Sequence, residues 1–285
     1  MNLRQKLGVF AESIKISHSV FALPFAIAAA FLAEQGCPAP QTLAKIVLAV
    51  VLARTAAMTF NRGVDADLDA ANPRTATRAV PRGLLTRRFM SCVTLFCCAA
   101  FVAVAAWINP LALVLSPIVL ITLLGYSYTK RFTSLSHVVL GAALGLSPLG
   151  AWVAVSGELA LEPALLGLAV LFWTAGFDVI YACQDRDFDR RHGLRSIPAR
   201  LGVRRSLFIS RCFHTATIAL LAAVGSLAGL GWIYAGGVAA VIALLIYEHS
   251  LVSPGDLSRV DVAFFTLNGL VSLVFMAAVV LQTVI

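Results

Sequence analysis

The sequence predicts an all-α membrane protein, a polytopic helical bundle with about nine transmembrane helices. Hydrophobic residues make up 60% of its 285 residues and charged residues only 13%, whereas a soluble domain carries about 25% charged residues. Its apolar runs reach the roughly 20 residues that an α-helix needs to cross a bilayer. The runs are also unbroken, whereas a membrane β-barrel would show alternating polarity over segments of about 10 residues.

The apolar runs extend along the whole chain, and no linker or low-complexity tract separates them. We therefore expect one transmembrane domain over residues 1–285. Two connections are long and rich in both Asp and Arg, roughly 62–88 and 184–205, which a simple connection between helices does not require. The predicted spans are 19–35, 41–61, 90–107, 109–126, 135–156, 162–183, 206–229, 231–247 and 261–284.

The net charge of +8 comes mainly from loops that alternate along the chain and therefore share one side of the membrane. The loops on the other side contain Glu34, Glu158 and Glu162. Because basic residues concentrate in cytoplasmic loops, we expect the N-terminus and the basic loops in the cytoplasm, with the protein in the inner (cytoplasmic) membrane. The membrane topology explains the positive net charge, and the distribution of this charge does not indicate a nucleic-acid partner.

Two sets of polar residues, which we call the ladders, follow predicted spans two and six towards the basic side. Steps of seven and four residues return to nearly the same face of an α-helix, so each ladder forms one polar stripe. Both ladders contain a step of seven followed by a step of four, which hints at an internal duplication. The first ladder is Arg54, Asn61, Asp65 and Asp69, and the second is Asp178, Asp185 and Asp189.

The ladder carboxylates would repel one another unless a cation bound them. Oxygens of Asn and Asp suit Mg²⁺, which typically binds one or two carboxylates together with substrate phosphate oxygens. Helical rise separates Asn61 from Asp69 by about 12 Å, so one ion cannot contact the whole first ladder. We expect Asn61 and Asp65 at one Mg²⁺ ion. A second ion would bind Asp185 and Asp189, and Asp69 would lie outside the first coordination sphere or on an unwound turn.

Basic residues follow both ladders, and another basic pair follows the fourth predicted span. Acidic metal ligands beside guanidinium groups are what a metal-bridged diphosphate requires, because Arg offers paired donors to phosphate oxygens. We expect the diphosphate of a substrate to contact Arg74, Arg78, Lys130, Arg131 and Arg195.

Arg54 and Asp178 lie about two turns inside the membrane from the other ladder residues. Ionisable groups at such depth usually face a cavity or a partner. Either the two side chains pair with each other, or Arg54 binds a substrate carboxylate while Asp178 helps to activate an acceptor. Tyr181 shares a helical face with Asp178 and is a second candidate near the acceptor.

The ladders and their flanks resemble a known family. The segments NRGVDADLD at 61–69 and DVIYACQDRDFD at 178–189 are similar to the two Asp-rich motifs of the UbiA-type intramembrane prenyltransferases. RTATRAVPRG at 74–83 and YSYTKRFT at 126–133 are further matches. The resemblance covers most of the chain and implies nine helices around a central cavity. Arg62 replaces an Asp that many members have.

Within that family, the segment at 16–25 and the motif that begins at Asp178 resemble the 4-hydroxybenzoate polyprenyltransferase-like branch, which includes relatives of the futalosine-route menaquinone enzyme. This resemblance implies Mg²⁺-dependent transfer of a polyprenyl group from polyprenyl diphosphate to an aromatic acid. The acid would be 4-hydroxybenzoate or a dihydroxynaphthoate, in ubiquinone or menaquinone biosynthesis. His18 is either part of the acceptor pocket or a packed core residue. The oligomeric state is not predicted.

Other functions stay open. Haem-farnesylating and lipid-ether-forming prenyltransferases share the metal motifs. A membrane transporter would also contain intramembrane Arg and Asp, but it would not explain ladders that end in Arg-rich loops on one side. The two halves also show no matching pair of helices broken by Gly or Pro at mid-membrane. CDP-alcohol phosphotransferases need an Asp-Gly-x-x-Ala-Arg motif, which neither ladder contains.

Overall fold

The structure, a computed structural model, describes residues 3–15 and 21–285. Within these ranges the chain is all-α, and its only β-type pairing is an isolated bridge between Ser253 and Asp256. A 3₁₀ turn (Cys183–Asp185) precedes α9, and a π-helical turn (Val262–Leu267) precedes α13. The helices are α1 (Leu3–Ser13), α2 (Leu23–Glu34), α3 (Pro40–Val64), α4 (Ala66–Ala71), α5 (Arg87–Ile108), α6 (Pro110–Thr129), α7 (Ser136–Ser156), α8 (Leu161–Ala182), α9 (Arg186–Arg191), α10 (Ile197–Leu201), α11 (Val203–Leu227), α12 (Trp232–Ser250) and α13 (Asn268–Val284).

Each predicted span corresponds to one helix of the described part of the chain. Eight helical segments are long and apolar enough to cross a membrane. The ninth, α2, has 12 residues and rises about 18 Å, and part of its predicted span (19–35) lies outside the described residues. The chain is thus a multi-pass membrane protein.

The long helices form a ring in which most helices pack on their neighbours in sequence. The contacts run from α3 through α5, α6, α7, α8, α11, α12 and α13 to α2, which returns to both α3 and α7. Two glycines explain the close approach of α7 to α8, since a Cβ on Gly141 or Gly145 would clash with the backbone of α8. This contact sets the distance between His137 on α7 and Asp178 on α8.

Aromatic side chains fill the interior between α2, α8 and α13. Trp173 is fully buried, and its ring centroid lies 5.0 Å from that of Phe25 and 4.9 Å from that of Phe177. Phe25 also stacks on Phe275 at 5.1 Å. Other large apolar side chains, such as Leu95 and Phe96, instead point outward, as expected for a surface that faces lipid.

Candidate active site

Both ladder helices break at an Asp residue. Asp65 separates α3 from the six-residue α4, with φ −92° and ψ 8°. Asp185 is the last residue of the 3₁₀ turn that joins α8 to the six-residue α9, with φ −93° and ψ 2°. Both residues occupy the bridge region of backbone space, which is common among active-site residues. The two halves of the chain therefore build the same local structure twice.

This repeat corrects the register suggested by the sequence. The shared step of seven then four aligned Asn61 with Asp185, but the backbone breaks pair Asp65 with Asp185 and Asp69 with Asp189. The true register is one helical turn away because periodicity identifies a face of a helix but not the point at which the helix ends. The break lies at Asp65, and Asp69 is inside α4, so the expectation of an unwound turn at Asp69 is wrong.

A cavity of about 540 Å³ extends from the ladder end of the bundle, where α3 and α8 finish, towards the opposite end. Its lining is mostly apolar away from the ladders. The predicted site residues that line it are Arg54, Asn61, Asp65, Asp69, Arg74, Arg78, Lys130, Arg131, Asp178, Tyr181, Asp185 and Asp189.

Arg195 is the predicted site residue that does not line this cavity. Its guanidinium Nη1 donates to the carbonyl of Phe132 at 2.8 Å, and its backbone N–H donates to the carbonyl of Lys130 at 2.7 Å. Arg195 therefore joins the connection after α9 to the turn that contains Lys130 and Arg131. Asp67 and Asp187, which do not belong to the ladders, have side chains that are 84% and 78% exposed.

Asp65 lies at the centre of the first ladder. Its Oδ2 accepts from Asn61 Nδ2 at 2.8 Å, and its Oδ1 accepts from Arg131 Nη2 at 3.2 Å. Burial raises the pKa of Asp65 above its ordinary value, although the hydrogen bond from Arg131 opposes this effect. The negative charge of Asp65 is therefore only partly compensated.

Asp185 has a fuller set of partners in the second ladder. Arg74 binds it with two donors, Nε to Oδ1 at 2.9 Å and Nη2 to Oδ2 at 2.5 Å, while Asn72 donates to Oδ1 at 3.0 Å. Arg74 Nη1 also donates to Tyr181 Oη at 2.7 Å. Burial lowers the pKa of Arg74, but the bonds and charge of Asp185 and the nearby Tyr181 outweigh it and raise the pKa overall. The pair connects the loop after the first ladder to the second ladder.

The two outer ladder carboxylates are both buried, with 7% of Asp69 and 2% of Asp189 exposed. Asp69 Oδ1 accepts from Arg78 Nη1 at 2.6 Å, while its buried Oδ2 has no hydrogen-bond partner. Arg62 Nη1 lies 3.7 Å from that Oδ2. Asp189 Oδ2 accepts from Ser196 Oγ at 2.7 Å.

These residues fit a divalent cation that is bound together with phosphate. The described residues contain no group of three or more His, Cys, Asp or Glu side chains placed to hold a metal by themselves. Mg²⁺ does not need such a cage, because it usually keeps only one or two carboxylates and takes its other ligands from water and phosphate. The Oδ2 of Asp69, which accepts no hydrogen bond, and the partly compensated carboxylate of Asp65 are hard donors of the kind that this ion prefers.

The deep residues Arg54 and Asp178 do not pair with each other, which answers a question that the sequence left open. Arg54 Nη2 donates to the carbonyls of Ile14, at 3.1 Å, and Lys15, just beyond the end of α1. Asp178 Oδ2 instead lies 2.6 Å from Nδ1 of His137. Arg54 thus fixes the segment after α1 against α3, a favourable place for a cation because carbonyls remain free there.

Sequence reasoning missed several residues that contact the ladders, among them His137, Asn72 and Ser196. Asn72 directly follows the first ladder in the segment Asn-Pro-Arg, where an amide beside the predicted diphosphate ligands was a usable signal. His137 is a lone histidine on an apolar helix, which gives no signal of that kind. His18 lies outside the described residues.

Comparisons with known proteins agree with this geometry. Residues 22–270 match the UbiA prenyltransferase family. A 4-hydroxybenzoate octaprenyltransferase from Citrobacter koseri is 34% identical over 224 residues, which cover 79% of this chain and 77% of that protein. The apo structure of a UbiA homolog from Aeropyrum pernix K1 superposes with a TM-score of 0.85 at 36% identity, over 93% of this chain and 97% of that one.

A second solved structure shares the fold at lower identity. It is a UbiA homolog from Archaeoglobus fulgidus bound to DMAPP and Mg²⁺, with a TM-score of 0.73 and 20% identity over 95% of this chain and 98% of that one.

Proposed function

The chain belongs to the UbiA prenyltransferase family and is a prenyltransferase, and we propose that it transfers a polyprenyl group from polyprenyl diphosphate to a small aromatic acid with the help of Mg²⁺. The acceptor would be 4-hydroxybenzoate or a dihydroxynaphthoate, in ubiquinone or menaquinone biosynthesis. The observation that supports this most is the pair of matching Asp-bearing helix breaks at one end of a cavity, each beside an arginine.

The diphosphate would lie between the two ladders. Asn61, Asp65 and Asp69 on one side and Asp185 and Asp189 on the other would hold Mg²⁺, which when bound neutralises the charge that the leaving diphosphate gains. Guanidinium and ammonium groups on the cavity wall would bind the remaining phosphate oxygens. These groups are Arg74, Arg78, Lys130 and Arg131.

The polyprenyl chain would occupy the apolar length of the cavity. Ile118 and Leu159 line the cavity although 57% and 61% of their surfaces are exposed, so the cavity reaches the outer surface of the bundle at these residues. A chain longer than the cavity could leave there into lipid. The apolar lining would also keep water from the allylic cation, which water would otherwise hydrolyse.

The chemical step breaks one bond and forms another. The C–O bond to the diphosphate breaks, and its electron pair leaves with the diphosphate. The ring carbon ortho to the hydroxyl of the acceptor then attacks the allylic cation and forms a C–C bond. The ring proton is lost to a base, which restores aromaticity. We assign Asp178 as that base, because it lines the cavity about two helical turns from Asp185, with Tyr181 beside it.

Arg54 would bind the carboxylate of the acceptor. It lines the same cavity as Asp178, and the bonds to the carbonyls of Ile14 and Lys15 involve its Nη2. The charge distribution supports a cytoplasmic N-terminus and ladder end in an inner membrane, from which a water-soluble acid would enter.

The test uses membranes that contain the protein, Mg²⁺ and a radiolabelled polyprenyl diphosphate, with 4-hydroxybenzoate and a dihydroxynaphthoate in parallel. We expect a labelled lipid product that disappears with EDTA and with Asp65→Ala, and the preferred acid identifies the pathway. Diphosphate release without a labelled acid would refute the aromatic acceptor and favour a haem or lipid acceptor. Failure to bind or turn over the diphosphate would refute the proposal.

A further inference from the structure

His137 lies in the first turn of α7 and none of it is exposed to solvent. Its Nδ1 is 2.6 Å from Oδ2 of Asp178, and its Nε2 is 3.4 Å from the backbone nitrogen of Ile197. The imidazole therefore has one partner on each nitrogen, on two different segments of the chain.

The partner of Nε2 assigns the proton of the ring. A backbone N–H can only donate, so Nε2 must accept with its lone pair and cannot have a proton of its own. The proton of a neutral imidazole is then on Nδ1, where it points at Asp178. The direction of donation thus runs from the Ile197 N–H to the imidazole and from the imidazole to the carboxylate.

The surrounding packing restricts both side chains. The close approach of α7 to α8 at Gly141 sets the distance between the helix that contains His137 and the helix that contains Asp178. The Asp178 side chain is 19% exposed and lines the cavity. With Oδ2 bound to His137, Oδ1 is the oxygen of Asp178 left for a substrate.

We propose that His137 is a positioning residue, which holds Asp178 as an ionised, oriented base for the ring proton of the acceptor. This inference rests on the proposed function. A free carboxylate on a helix would rotate about its side-chain torsions, whereas a fixed donor restricts one oxygen and so aims the other. Removing the partners that orient metal-binding side chains commonly changes activity by about 10–100-fold, and we expect a loss of the same order for the partner that orients this base.

The segment that contains Ile197 also connects His137 to Asp189, the last carboxylate of the second ladder. The preceding residue, Ser196, donates its hydroxyl to Asp189 and accepts from the backbone N–H of Ala199. One short segment thus contacts a ladder carboxylate through Ser196 and the imidazole of His137 through Ile197. The base and the diphosphate site are consequently fixed to the same stretch of backbone.

Two substitutions separate the two bonds of His137. Asn places its amide nitrogen where histidine has Nδ1, so H137N keeps a donor for Asp178 and loses the acceptor for Ile197. Gln places its amide where histidine has Nε2, so H137Q keeps the acceptor for Ile197 and loses the donor for Asp178. Both variants remove the ring, and each is therefore the size control for the other.

The experiment measures kcat and KM for prenyl transfer by purified wild type and both variants. We expect H137Q to lower kcat by about 10–100-fold with little change in KM for the polyprenyl diphosphate. H137N should restore most of the rate. In an Asp178→Asn background, H137Q should add little further loss, because both changes remove the same interaction.

Equal rates for wild type, H137N and H137Q would overturn the inference. So would equal losses in H137N and H137Q, because these would show that the ring matters for packing alone. Additive losses of H137Q and Asp178→Asn would also overturn it. Wild-type protein without any prenyl transfer to an aromatic acid would instead refute the proposed function, which makes the two failures distinguishable.

Discussion

Replacing Arg74 by Lys keeps its charge but removes its paired geometry. The guanidinium of Arg74 makes three hydrogen bonds, two to the carboxylate of Asp185 at 2.9 and 2.5 Å and one to the hydroxyl of Tyr181 at 2.7 Å. A Lys ammonium donates from one nitrogen, so it cannot reproduce the two parallel hydrogen bonds that the planar guanidinium makes to a carboxylate. The variant tests whether the paired hydrogen bonds, rather than the positive charge alone, connect the loop after the first ladder to Asp185 of the second ladder.

The structure sets the size of the effect. A hydrogen bond to a charged group contributes about 1.5–3 kcal/mol, and Arg74→Lys loses one or two such bonds. The Arg74 side chain is 30% exposed while that of Asp185 is only 9% exposed, so water can replace part of the loss on one side only. We expect the free energy of unfolding to fall by about 2 kcal/mol.

The matched control is Arg87→Lys. Arg87 also pairs with an Asp, Asp67, but the two side chains are 54% and 84% exposed. Exposed pairs contribute about 0–1 kcal/mol, so this variant should stay within about 0.5 kcal/mol of wild type. The assay is unfolding in mixed micelles by SDS titration, followed by circular dichroism. If Arg74→Lys unfolds at the same SDS fraction as Arg87→Lys, the Arg74–Asp185 pair does not stabilise the fold as described.

Three further substitutions test other parts of the structure. Asn268→Ala removes the donor to the fully buried Glu248 (Nδ2 to Oε1, 3.0 Å) and should lower the free energy of unfolding by about 1–3 kcal/mol in the same SDS titration. Gly141→Ala would force α7 and α8 apart and should lower it by about 1–3 kcal/mol, whereas Gly150→Ala, where a Cβ meets open space, should have little effect. Tyr181→Phe removes the hydroxyl that Arg74 contacts and should reduce kcat/KM for prenyl transfer about tenfold, equal to about 1.4 kcal/mol; an unchanged value would exclude a role for this hydroxyl in the reaction.

The length of the apolar runs was enough to predict the spans, because a bilayer requires roughly 20 apolar residues per helix. The shorter α2 departs from that rule among the described helices. Spacing also predicted that each ladder lies on one helical face, because steps of four and seven return to nearly the same face. The ladder residues and the arginines that follow the first ladder, Arg74 and Arg78, line one cavity. The single domain over residues 1–285 stays a prediction.

The sequence did not predict which side chains contact one another in three dimensions. Depth in the membrane indicated that Arg54 and Asp178 need partners, but depth does not identify them, and both found theirs elsewhere. The partner of Asp178 is 41 residues away on another helix. Arg195 was grouped with the diphosphate ligands because it follows the second ladder, yet its guanidinium contacts a backbone carbonyl outside the cavity.

The most direct test of the central claim compares ladder carboxylates with their off-ladder neighbours. Asp65→Asn and Asp185→Asn change residues that line the cavity, while Asp67→Asn and Asp187→Asn make the same chemical change two residues away on exposed side chains. The measurement is the initial rate of Mg²⁺-dependent prenyl transfer by the four purified variants. We expect a loss of at least about 100-fold in both ladder variants and rates within about twofold of wild type in both controls. Ladder variants that keep their rate, or controls that lose as much, would contradict the two-ladder site.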